Sequence, residues 1–77
     1  MFLGWFDDTP KKSVVEKIKE AVERYMVKFG EAPNVCLVSP GEVVTVDGVE
    51  VKAVEYVRPN HFWVGRVEAP AGAPLAA

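Results

Sequence analysis

The chain has 77 residues, the length of one domain. A net charge of −2 and a hydrophobic fraction of 49% exclude both a globally basic protein and a low-hydrophobicity disordered one. Cys36 and His61 are the only cysteine and histidine, so an internal disulfide and a cysteine-rich metal site are excluded as well. What remains to stabilise so small a core is packing and oligomerisation.

Residues 1–8 open as an apolar arm, Met1-Phe-Leu-Gly-Trp-Phe6, closed by Asp7 and Asp8. The arm lacks the leading positive charge and the apolar length of a secretion signal, so a cytoplasmic chain is expected. No apolar run approaches the ~20 residues that span a bilayer, and no membrane association is expected.

The pattern predicts a helix over 10–29. Thr9-Pro10 is one start signal, and Ser13-Val-Val-Glu16 with capping-box spacing is another. Gly30 supplies the stop and Pro33 prevents continuation. At roughly 100° per residue, Val14, Ile18, Ala21, Val22, Tyr25 and Phe29 form one apolar stripe. Glu16, Lys17, Glu20, Glu23, Arg24 and Lys28 fall opposite, and Val27 points away from the stripe as a surface valine.

Beyond Pro33 the pattern turns to β, with strands expected at 34–39, 42–46, 49–57 and 61–67. Asp47-Gly48 is a strong two-residue hairpin signal, and pairing about it sets Val46 against Val49 and Val44 against Val51. The alternation slips near Lys52-Ala53, where a bulge is expected. Arg58-Pro59-Asn60-His61 reads as a turn with asparagine in the left-handed position. The expected fold class is therefore α+β: one N-terminal amphipathic helix on one face of a four-stranded antiparallel β-meander, α-β-β-β-β, spanning 9–68. Residues 69–77, Ala-Pro-Ala-Gly-Ala-Pro-Leu-Ala-Ala, read as a disordered Ala/Pro tail. Its last three residues, Leu75-Ala76-Ala77, resemble the Leu-Ala-Ala ending of the bacterial tag that marks stalled products for proteolysis.

A helix about 10 Å wide covers two or three strands spaced about 4.8 Å apart, on one face only. Yet Val35/Leu37 and Cys36/Val38 point to opposite sides of their strand. One sheet face is left apolar, to be covered by residues 1–6, a second copy of the chain or another partner.

The chemistry-bearing residues are few. Cys36 sits among valine and leucine, where a thiol is a small hydrophobe, and no nucleophile–base–orienter set accompanies it. Phosphate-binding glycine motifs are absent. No enzyme activity, cofactor, metal or small-molecule substrate is expected. The densest aromatic and basic cluster is Tyr56, Arg58, His61, Phe62, Trp63 and Arg66. Two functions follow from it and from the uncovered face. The first is a non-enzymatic protein-interaction module, self-associating as a dimer through that face. The alternative is a nucleic-acid binder using Arg58, Trp63 and Arg66 with Lys17 and Arg24 of the helix; Glu50 and Glu55 on the neighbouring strand disfavour it.

Overall fold

The computed structural model describes residues 2–67; the expected tail at 69–77 and its Leu-Ala-Ala end lie outside them. The helix, α1, runs Val14–Phe29. Ser13 is its N-cap, in extended conformation, and its hydroxyl accepts from the Glu16 N–H at 3.1 Å. Of the two start signals the second is used. The first fails because Lys11 adopts a left-handed φ of 66°, which no helical turn tolerates. Instead Asp7 Oδ1 accepts from the Thr9 N–H at 2.9 Å, turning the chain before the helix. Gly30 ends α1 at φ 73°, its N–H donating to Met26 O.

The strands are β1 Phe2–Phe6, β2 Val35–Val38, β3 Glu50–Ala53 and β4 His61–Gly65. They form one sheet in the order β1-β4-β2-β3. The α+β class holds, but the sheet is mixed and the meander is not formed. β4 lies between β1 and β2 and runs antiparallel to both, whereas β2 and β3 are parallel.

Two departures from the sequence reading produce this. First, residues 2–6 do not fold across the sheet; they join it, pairing Phe2 with Gly65 through Phe6 with His61. Second, residues 42–46 are not a strand. Pro40–Glu42 is a single 3-10 turn, and the expected hairpin survives only as the Val46–Val49 bridge across Asp47-Gly48. Glu50 N–H donates to Asn34 O instead of to residue 45, which commits 50–53 to parallel pairing with β2. The slip in alternation at Lys52-Ala53 is the end of β3, and Tyr56 lies in the turn that follows.

α1 packs on one face of the sheet. Ile18, Ala21 and Tyr25 meet Cys36, Val38, Phe62 and Val64, all essentially closed to solvent, with Val46 completing the cluster. Leu3 and Trp5 of β1 border it. Lys17, expected on the solvent side, is buried at the end of the stripe, where its Nζ donates to Asn60 Oδ1 at 3.0 Å.

Candidate functional site

Side chains alternate across a strand, so the residues between the helix-facing ones define the opposite sheet face. With Leu3 and Trp5, Phe62 and Val64, and Cys36 and Val38 turned to the helix, the other face carries Phe2, Gly4 and Phe6, then His61 and Trp63, then Val35 and Leu37. On the far edge β3 contributes Glu50 and Lys52, whose side chains approach to 3.7 Å. The face is thus aromatic and aliphatic over three strands and charged only at the fourth.

No described element crosses it, although Val35 at its end is buried. Phe2, Trp63 and Phe6 are 39%, 43% and 56% exposed, and Tyr56 is 81% exposed. These are large values for aromatic rings, and for Phe2, Phe6 and Trp63 on the sheet the solvent exposure forfeits a large share of their burial energy. Phe2, Leu37, Tyr56 and Trp63 surround a groove of about 370 Å³. Phe6 stacks at a tilt on His61, ring centroids 4.8 Å apart, and His61 Nδ1 lies 3.1 Å from the Pro59 carbonyl, a bond the Nδ1–H tautomer donates.

Gly4 has a specific part in this. It faces Trp63 across the β1–β4 pair, and a Cβ there would lie 2.9 Å from Trp63 Cζ3. The indole is laid over the glycine, which flattens the face instead of leaving the ring upright.

The six residues singled out from the sequence do not form one site. Tyr56, His61 and Trp63 reach the open face. Phe62 is buried in the helix-side core. Arg66 is drawn away to residues 31–32, with Nη1 donating to Ala32 O at 3.1 Å and Nε 3.8 Å from Glu31. Arg58 is exposed in the 58–61 turn. The two helix cations lie elsewhere: Lys17 is held by Asn60, and Arg24 sits over the Trp5 ring at 5.7 Å on the helix side. Trp5 Nε1 is buried there without a hydrogen-bond partner among the described residues.

Two features escaped the sequence reading. The whole β1 contribution, Phe2, Gly4 and Phe6, belongs to the open face. Asn60 is a polar junction beneath one end of the sheet. At φ 67° its O accepts from the Asp7 N–H (3.0 Å), its N–H donates to Glu42 Oε1 (2.8 Å), and its Oδ1 accepts from Lys17. Asp7 in turn accepts from Lys12 Nζ at 2.8 Å, and Lys12 also contacts Glu20. The Lys12 and Thr9 hydrogen bonds hold the Asp7 carboxyl well below the usual carboxylate range. Burial pushes the Cys36 thiol up to about 12, so it stays protonated at neutral pH.

A second groove of about 380 Å³ lies between α1 and the 45–49 turn, bordered by Val15, Val22 and Val49 with Lys19, Glu23 and Asp47. No group of His, Cys, Asp and Glu suited to a metal ion occurs among the described residues, and none of their helices is long and apolar enough to cross a membrane. Comparison with protein-family models, curated proteins and solved structures returns no match.

Proposed function

We propose that the chain is a non-enzymatic interaction module that associates with a second copy of itself through the open sheet face. The observation that carries this reading is the uncovered run of Phe2, Leu37, Trp63 and Tyr56, in a fold whose N-terminal segment widens that face when it could have covered it. The face's charges favour a like partner. Glu50 and Lys52 neutralise each other, so no strongly charged ligand is called for, and sheets that pack face to face sit about 10 Å apart, a spacing open to a second copy. A nucleic acid finds stacking rings here, but among the described residues Arg66 and Lys17 are engaged away from them, by Ala32 O and Asn60 Oδ1.

Light scattering coupled to gel filtration tests the reading at tens of micromolar protein. The wild-type chain should run at no less than twice its 8.5 kDa mass, and Leu37→Glu, which sets a carboxylate on the face outside the helix-side core, should lower that mass. A wild-type monomer refutes it. A monomer that also binds single-stranded oligonucleotide at low salt, with affinity falling steeply as salt rises, favours the alternative.

A further inference from the structure

The two edges of the sheet are treated differently. β3, on one edge, is four residues long and alternates glutamate and lysine with its apolar positions. Such charges discourage further pairing. β1, on the other, is Phe2-Leu3-Gly4-Trp5-Phe6, with no charge and no proline, and no described strand on its outer side.

Its backbone directions follow from one bond. Asp7 N–H donates to Asn60 O, one step beyond the Phe6–His61 pair. In an antiparallel ladder, bonded and non-bonded pairs alternate. Leu3 and Trp5 therefore spend their N–H and C=O groups on Val64 and Phe62, and those of Phe2, Gly4 and Phe6 point out of the sheet. These three are symmetric about Gly4. A second β1 laid antiparallel across a two-fold axis at Gly4 meets them in register: Gly4 opposite Gly4, and each Phe2 opposite the other copy's Phe6. All three pairs are of the bonded type, so every outward donor and acceptor finds a partner. Phe2 meets Phe6 on the open face and Leu3 meets Trp5 on the helix side, cross-strand pairs that are each favourable.

We propose that β1 is a second self-recognition site, whose occupant is the β1 of another copy, joining two sheets into one of eight strands. The inference stands apart from face-to-face pairing, and the two together give four chains with dihedral symmetry. Area favours the combination. Four strands of about five residues present a face of roughly 19 by 17 Å, ~320 Å², so one pair of faces covers ~640 Å². Specific interfaces bury about 1,200–2,000 Å² in total. Doubling the sheet at β1 before the faces close brings the flat footprint alone to ~1,300 Å².

The test replaces one outward N–H by a methyl group on the free edge and leaves every side chain unchanged. Joining a synthetic 1–35 segment to the remainder at Cys36 allows Gly4 to be replaced by N-methylglycine, whose methyl group projects from the free edge. By sedimentation equilibrium the wild-type chain should weigh four times 8.5 kDa; the N-methyl form should weigh no more than half of that, and the N-methyl form carrying Leu37→Glu a quarter. An N-methyl form that keeps the wild-type mass overturns edge pairing. Loss of mass with Leu37→Glu alone, and none with the N-methyl group, leaves the face contact standing and sinks the edge. The reverse pattern supports the edge and sinks the face. Hydrogen exchange checks the same point in the unmodified chain: the Gly4 and Phe6 amides should be protected in the assembly, and exchange at the rate of open amides overturns the proposal.

Discussion

Asn60 joins the start of α1, the 3-10 turn and the end of β1, and its replacement separates two contributions. Asn60→Gly keeps the left-handed backbone and removes the acceptor for the buried Lys17 ammonium. A hydrogen bond to a charged group is worth about 1.5–3 kcal/mol, and glycine adds ~0.5 kcal/mol of unfolded-state freedom. The expected loss is thus about 2–3.5 kcal/mol. Asn60→Ala loses the same bond and places a Cβ in a left-handed conformation at a further ~1–2 kcal/mol. A chain of this size has a total stability on the order of 4–12 kcal/mol, so the alanine variant approaches the limit of folding. Urea unfolding followed by far-ultraviolet circular dichroism measures both, in a Leu37→Glu background that removes the face contact and with all variants compared at one protein concentration. At about 4–8 °C per kcal/mol, the glycine variant should melt roughly 8–28 °C lower. Equal losses for glycine and alanine would refute the conformational part. A loss below ~0.5 kcal/mol for both would refute the junction itself. A double-mutant cycle with Lys17→Met should show coupling of at least ~1 kcal/mol, and additivity would mean that the two side chains do not interact.

Three further outcomes are expected. Because Asp7 titrates below its unfolded value of 3.8, its contribution is present above about pH 4 and lost as pH falls below that; Asp7→Asn should flatten the acid limb of a melting-temperature profile between pH 6 and 2, and an unchanged limb contradicts the Lys12–Asp7–Thr9 arrangement. The Cys36 thiol, buried and protonated, should react with a thiol reagent at pH 8 only as fast as the chain opens, so rapid stoichiometric labelling of the native protein contradicts its place in the core. Gly4→Ala should displace the Trp63 indole at a cost of about 1–3 kcal/mol and raise its quenching by acrylamide in a Trp5→Phe background; unaltered quenching would mean the ring does not lie over Gly4.

Local chemistry made part of this legible. Ser13 as cap, Gly30 as stop, the Asp47-Gly48 turn (Gly48 at φ 79°) and the left-handed Asn60 each carry their reason within a few residues. The apolar stripe of α1 and the last strand were equally plain. What the sequence hid was non-local. Phe2–Phe6 is apolar at nearly every position, so no alternation marks it as a strand, and its partner β4 lies more than fifty residues away. The valines flanking Asp47-Gly48 match well as a hairpin, but Pro40-Gly41 bends the chain and Glu42 is engaged by Asn60. Only the Val46–Val49 bridge remains of that hairpin, and residues 50–53 are left to β2. Lys17 looked solvated by helical phase alone, because its acceptor comes from a turn 43 residues further on. The prospect of an uncovered apolar face was readable from the width of one helix. Its composition was not, since a third of it comes from β1.

The central claim is that the face bearing Phe2, Leu37 and Trp63 meets another copy of the chain. An isotope-filtered nuclear Overhauser experiment on mixed labelled and unlabelled protein measures this directly. Intermolecular cross-peaks should connect the Trp63 indole and the Leu37 methyl groups of one copy with the same face of its partner. Cross-peaks confined to the exposed side of α1, around Met26 and Val27, or no intermolecular cross-peaks at concentrations where the mass exceeds one chain, would contradict it.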